Sequence, residues 1–455
     1  MTTASDRPIP RVRPGPPPGA PLPELPPEEV AAWQARGGEL VELLARAAEL
    51  GPLAAFTLGP RRTVLVTGPE QVQHVLAQHP EGYVKQSHRA GLLLGEGVIA
   101  AGGERWKQQR RLLQSQFTSV GLRRWEERIT EAAARTERRW AECARTGEPT
   151  DVGADVQFFA LDAIWRTLTG DPLDDATHRE LDAMNEVAVH LSALTATAPA
   201  DQEAVTAALT RIDSACARAI ADARERLGGK AEGEAGDGLL RVFLEAARTR
   251  PEYTDRLIRD ELVNLLVAGH ETTAKTLSWL FLRLEQHPDV RERVLDVCRT
   301  GSPEQRREVL TALVNETMRL HPAVWLIPRH AAVDDTIGGY RIEAGSHVLS
   351  SPYLTHRDPD IWPEPEVFDP WRFIDPGRRP GQLGAFYPFG LGARACLGQQ
   401  FTYREMLCLL ELLLPAYDLD FQELPHSTFF GVVLHPVGPL RATVRRARGG
   451  AQPSD

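Results

Sequence analysis

The chain has 455 residues, 42% of them hydrophobic and 25% charged, an ordinary globular composition with ample material for a core. Its 52 Lys and Arg against 62 Asp and Glu give a formal charge of −10, the wrong sign for wrapping a phosphate backbone, so nucleic-acid binding drops out as a leading function. No apolar run approaches the roughly 18 residues that a membrane-spanning helix needs; the richest, Leu407 to Leu414, is broken by Glu411.

The N-terminal stretch has no apolar core of a secretory signal, and ten of its first 28 residues are proline. An extended, solvated tail over residues 1–28 and a cytoplasmic location are the expectations. The five cysteines (Cys143, Cys216, Cys298, Cys396, Cys408) are odd in number and irregularly spaced, with no C-x-x-C pair, which argues against a disulfide framework or structural zinc.

After the tail, AAFTLGPRRTVLV (residues 54–66) reads as a hairpin around a Gly-Pro turn. From about Pro69 to Leu320 apolar residues recur at three and four, predicting helices over 104–117, 123–146 and 251–286. Past His321-Pro322 the runs become short and β-branched, as in AVWLIPRHA, GGYRIEAGSHVLSSPY and FFGVVLHPVGPLRATVRR. Between them lies a proline-rich, strandless meander over 357–381, and then a Gly-rich loop opening directly into a helix, LGQQFTYREMLCLLELLL. The chain is predicted to be mainly α with a small β region.

That loop, FYPFGLGARACLGQQF, sets Gly390, Gly392 and Gly398 around Cys396 at the mouth of the helix. Glycines permit a tight turn and close approach to a flat ligand. A cysteine there meets unpaired N–H donors and the positive dipole end, which favour its thiolate and make it a ready metal ligand. Upstream, VAGHETTAKTLSW begins like the zinc signature H-E-x-x-H, but the position four after His270 is Ala274, so zinc is rejected. Gly269 is expected to loosen this helix and let Thr272 turn its hydroxyl into the groove, beside Glu271, rather than bond its own backbone. Glu316 and Arg319 share one helix face at i and i+3, and Trp106 and Arg110 share another at i and i+4.

The run Phe389, Gly392, Arg394, Cys396, Gly398 resembles the haem-binding signature F-x-x-G-x-R-x-C-x-G of the cytochrome P-450 family. Three further patterns fall in the family's order: the Ala268–Thr273 turn, E-x-x-R at Glu316 and Arg319 with Arg372 of the meander, and W-x-x-x-R at Trp106 and Arg110. The resemblance implies a triangular prism with haem between the helix of Glu271 and Thr272 and the helix after Cys396. It implies one catalytic domain over 29–445 and a flexible tail over 446–455.

By the same resemblance Cys396 is the axial ligand of haem iron, and Phe389, Gly390 and Gly398 shape the loop around it. Arg394, Trp106, Arg110 and Arg329, with His88 as a further candidate, hold the propionates, and Ala268 lies against the haem. Glu271 and Thr272 deliver protons, and Glu316, Arg319 and Arg372 form a structural triad. The chain has Trp371 where many members carry an acid. Haem b, O2, a separate ferredoxin or flavodoxin drawing on NAD(P)H, and a monomer are implied, with Lys107, Arg111, Arg378 and Arg379 as docking cations for an acidic carrier.

Leu265, Ala268, Val324, Trp325, Leu326, Phe429 and Phe430 are the pocket candidates. They are nearly all apolar, so a hydrophobic small molecule, hydroxylated or epoxidised in bacterial secondary metabolism, is expected; the stretch 187–202 should cap the pocket. Coupling, ring closure or desaturation, fatty-acid hydroxylation, and a non-enzymatic haem sensor or carrier remain as alternatives. Lys275 is an unexplained charge on the Thr272 helix.

Overall fold

The computed structural model of the chain describes residues 17, 19–85, 91–184, 186–187, 202–229, 238–378 and 380–447. These fall into two compact units. The first comprises the described residues up to Lys85 with Leu326–Val367 and Gly377–Ala395. The second comprises those from 91 to Trp325 with Phe368–Pro376 and the chain from Cys396 onward.

The first unit is built on a five-stranded sheet. Strands β1 (Leu53–Leu58) and β2 (Arg61–Val66) form the predicted antiparallel hairpin, with β3 (Tyr83–Val84), β4 (Ile327–Ala331) and β5 (His347–Ser350) completing the order β1-β2-β5-β4-β3. Its register sets Thr63 opposite His347 in parallel and Arg329 opposite Val348 antiparallel. Val64, Val66, Val348 and Ala331 turn into a core with Val72, Val75 and Tyr387.

Residues 19–28, assigned above to a solvated tail, are packed on this unit. Leu22 and Leu25 are buried, Ala55 N donates to Pro23 O, and Ala20 bridges Tyr340. Proline disfavours a helix but not an extended, polyproline-like strap, and leucines three residues apart share one side of such a strap and bury it.

The second unit is mainly helical, and five of its helices matter to the site: α1 (Gly103–Gln114), α2 (Val152–Thr169), α3 (Asp255–Gln286), α4 (Pro303–Leu320) and α5 (Gln399–Leu413). Their ends follow local chemistry. Asp151 caps α2 by accepting from Gly153 N and Ala154 N, and Gly170, left-handed, closes it. Thr254 caps α3, and Ser302 with Gln305 forms a capping box on α4 behind Pro303. His287-Pro288 and His321-Pro322 stop α3 and α4, because a proline excludes helical backbone at the residue before it. Two small sheets, including strands Ser427–Phe430 and Leu434–Val437, accompany the helices. Among its described residues the meander carries no strand, only a 3-10 turn at Pro370–Phe373.

The long helix α3 is one continuous helix of 32 residues, so Gly269 does not loosen it. A Cβ at Gly269 would lie 2.9 Å from Ile164 Cγ1 on α2. This glycine lets two central helices approach closely.

Candidate active site

In the second unit Gly398 is the N-cap of α5, and the backbone N–H groups of Gly398 and Gln399 donate to the Cys396 thiol. Arg110 of α1 adds a positive charge near the same sulfur. These groups favour the thiolate, in the direction expected from the sequence, while burial is the larger effect and pushes the Cys396 thiol up. The residue as a whole is nonetheless solvent-accessible. A bound metal cation reverses this balance, since a coordinating thiol is deprotonated outright.

Gly392 sits at φ +70°, and a Cβ there would lie 2.2 Å from Leu76 O within the first unit. Both its handedness and the space around it require glycine. Gly390 is also left-handed, at φ +71°, with Phe389 half-buried before it.

The first unit also gathers three cations. Arg329 is buried on β4, and burial with the neighbouring Arg394 pulls its guanidinium down to about 10. Lys85, which sequence reasoning missed, is pulled down to about 8 by burial, then by Arg329 and Arg394. Three like charges in a desolvated pocket disfavour one another, and an anionic group set among them relieves that repulsion. Carboxylates such as those a haem carries fit this chemistry within the first unit, and in the second unit a thiol flanked by N–H donors fits an iron ligand.

On α3, Thr272 corrects a second expectation. Its Oγ1 donates to Ala268 O at 2.8 Å, so the hydroxyl bonds its own helix, which satisfies it locally in an unbroken turn. Ala268 itself is exposed. Glu271, one residue before Thr272, is half-buried; burial raises its carboxyl and Lys275 opposes that rise.

The triad is assembled in full. Arg319 Nε and Nη2 donate to Glu316 Oε2 and Oε1 at 2.7 and 2.9 Å, while Arg372 Nε donates to Oε1 at 3.1 Å and Asp369 N at 2.8 Å. All three charged side chains are at most 1% exposed. Trp371, the departure noted above, lies under the Arg293 guanidinium, 3.5 Å from its ring centroid, a cation–π contact in place of an ion pair.

A set of polar groups on α3 escaped the sequence reading because their partners are some 165 positions away. Asp260 accepts from Glu96 N at 2.9 Å, Glu261 from Val98 N at 3.1 Å and Asn264 from Ile99 N at 2.8 Å. They fasten the loop that leads into α1, and with it Trp106 and Arg110, both half-buried.

Of the pocket candidates, Leu265 is buried in the helical core, Val324 and Phe429 are exposed, and Phe430 and Leu326 are half-buried. Trp325 departs from a lining role. It is 2% exposed, donates from Nε1 to Gly431 O at 2.8 Å and meets Phe430 edge-on, so it anchors a loop. His88, Arg379 and most of 187–202 lie outside the described residues. Lys107, Arg111 and Arg378 are exposed, with Lys107 paired to Glu104 at 2.6 Å.

Comparison with known proteins accords with this geometry. The family profile Cytochrome P450 matches residues 17–440. Cyclooctat-9-en-7-ol 5-monooxygenase of Streptomyces melanosporofaciens is 29% identical over 80% of this chain and 82% of its own. Cytochrome P450 714B3 of Zea mays is 26% identical over 85% and 76%. Among solved structures, the cytochrome P450DA haem domain superposes with a TM-score of 0.80 at 25% identity, covering 94% of this chain and 98% of that one. CYP175A1 of Thermus thermophillus gives 0.71 at 27% identity, over 93% and 100%. No helix among the described residues is long and apolar enough to cross a membrane. The chain belongs to the cytochrome P450 family and is a haem monooxygenase that draws electrons from a redox partner and incorporates oxygen from O2.

Proposed function

We propose that the chain hydroxylates or epoxidises a hydrophobic small molecule of bacterial secondary metabolism, using haem b held through Cys396. The observation that carries this reading is the Cys396 thiol, with two backbone N–H donors and Arg110 beside it, in the same unit as the Glu271–Thr272 turn of α3. The substrate class rests on the apolar candidates Leu265, Ala268, Val324, Leu326, Phe429 and Phe430 and on the similarity to the Streptomyces monooxygenase.

When bound, haem supplies the activation of O2. The chain's residues do the rest. Cys396 would hold the haem iron through its sulfur, and the Gly398 and Gln399 N–H groups would temper the charge on that sulfur. Within the first unit Arg394, Arg329 and Lys85 would serve as cations for carboxylates, and within the second Trp106 and Arg110 of α1 would serve as hydrogen-bond donors. The Thr272 hydroxyl, donating to Ala268 O, keeps lone pairs with which to accept, and Glu271 takes protons from solvent and passes them toward it. A separate ferredoxin or flavodoxin, reduced from NAD(P)H, docks on cations such as Lys107, Arg111 and Arg378.

The test is Thr272→Ala with surrogate redox partners. The variant should bind haem as well as the parent and consume NADPH and O2, yet divert reducing equivalents to peroxide. Undiminished product per NADPH would remove Thr272 from proton delivery.

A further inference from the structure

A cavity of about 180 Å³ in the second unit is walled by the start of α1, the loop before it and the turn before α3, and none of its lining residues is assigned to haem above. Gln109 of α1 and Tyr253 both line it and are at most 3% exposed. Gln109 Nε2 donates to Glu96 O at 2.8 Å, which fixes the amide and leaves Oε1 as its acceptor. Among the described residues neither that oxygen nor the Tyr253 hydroxyl has a hydrogen-bond partner. A buried polar group without a partner is costly, so two in one wall point to a ligand that supplies what they lack.

The charge around them narrows that ligand. Glu96, Glu104 and Glu252 line the cavity against one lining cation, Arg105. Arg105 pairs with Glu96 at 2.7 Å, and Lys107, outside the lining, pairs with Glu104 at 2.6 Å; all four side chains are exposed, where such pairs hold weakly. Glu252 has no ion-pair partner among the described residues. Walls rich in acceptors and net negative suit a cation that carries only donors, and a primary ammonium has three N–H donors and no acceptor. Leu257 and the Tyr253 ring give a short carbon stem an apolar side to lie on. The volume corresponds to about six waters, room for an ammonium on roughly two to four carbons. A bare metal ion fits less well, because among the described residues no three of His, Cys, Asp and Glu are grouped so as to hold one.

We propose that this cavity binds a small primary alkylammonium, whose N–H groups donate to Gln109 Oε1 and the Tyr253 hydroxyl oxygen while Glu252 and Glu104 balance its charge. Such a ligand would join the start of α1 to the turn before α3. The two elements already meet through Glu96, whose O accepts from Gln109 and whose N donates to Asp260 at 2.9 Å. The site is separate from the Cys396 loop and depends on none of the roles proposed for Glu271 or Thr272.

The probe is n-butylammonium chloride near neutral pH, where the amine, like a lysine, is protonated and has no lone pair for iron. It is titrated into haem-loaded protein by calorimetry, with the Soret band followed in parallel. One saturable site is expected, without the Soret shift of a nitrogen-ligated iron. Glu252→Gln and Tyr253→Phe should each weaken binding about tenfold. Both should melt like the parent without probe, since Glu252 is exposed and Phe keeps the ring stacked on Phe243 at 6.3 Å. Tetramethylammonium, a cation without N–H, and potassium should compete poorly. Equal affinity in both variants, or heat that tracks an iron-ligation shift, would overturn the proposal. So would equal competition by potassium, which would reduce the site to a diffuse acidic surface, and so would no saturable heat, which would leave the two buried oxygens to water.

Discussion

Thr273 Oγ1 on α3 donates to Glu405 Oε1 on α5 at 2.5 Å, joining the residue after Thr272 to the helix that begins behind Cys396. Glu405 is fully buried, its carboxyl is pushed well above the usual range by burial, and among the described residues its Oε2 has no partner. Burial favours its neutral form, and its contact with Thr273 ties two central helices together.

Glu405→Gln keeps an acceptor for Thr273 and should cost no more than about 1 kcal/mol, whereas Glu405→Ala leaves a cavity and a stranded hydroxyl and should cost about 2–4 kcal/mol. Urea denaturation of the two variants measures the difference. Equal losses would show that the hydrogen bond contributes nothing beyond volume.

The loop clamp carries a pH dependence. Burial raises the Glu261 carboxyl to about 8, then Val98 N opposes and Asp260 reinforces the rise. A carboxyl raised in the folded state stabilises most below its unfolded value, and that contribution is lost as pH climbs through about 8. Stability should therefore fall between about pH 4.5 and 8, and Glu261→Gln should flatten that part of the curve. Thermal melts across the range test it, and an identical slope in the variant would contradict it.

Within the triad, Arg372→Ala leaves Glu316 with one fewer charged partner in a fully buried setting. A loss of about 3–5 kcal/mol is expected, with haem retention falling in proportion to the folded fraction. Denaturant unfolding of haem-free and loaded protein separates the two effects. A change below about 1 kcal/mol would mean that Arg319 alone satisfies Glu316.

The glycines around Cys396 differ in tolerance. Gly392→Ala meets Leu76 O at 2.2 Å in a left-handed conformation and should abolish haem incorporation. At Gly398 the backbone has an ordinary φ of −85°, and a Cβ would sit 4.0 Å from the Cys396 sulfur, so Gly398→Ala should fold and load. Haem content after purification ranks them, and the reverse order would refute the geometry.

Short-range patterns were legible in the sequence. The hairpin at 54–66, the helix expected at 251–286 and the loop-to-helix junction at Cys396 rest on local periodicity, turn residues and a spacing of ten positions; the hairpin and the junction stand as placed, and the helix starts four residues later, at Asp255 behind its Thr254 cap. Glu316 and Arg319 could be paired from their spacing, and the meander supplied Arg372. What could not be read depends on partners distant in the chain. Lys85 joins Arg329 and Arg394 only through the sheet, Asp260 and Asn264 find their loop across some 165 positions, and Glu405 meets Thr273 across 132. Gly269 was misread for the same reason. Its small size answers to Ile164 on another helix, and no pattern within α3 reveals that.

The central claim is that Cys396 is the thiolate ligand of a haem. The most direct measurement is the absorption spectrum of haem-loaded protein reduced with dithionite and exposed to carbon monoxide. A Soret band at the long wavelength of thiolate-ligated haem, lost in Cys396→His, is the predicted result. Fully loaded protein without that band, or a Cys396→His variant that keeps it, would contradict the assignment and the proton chemistry built upon it.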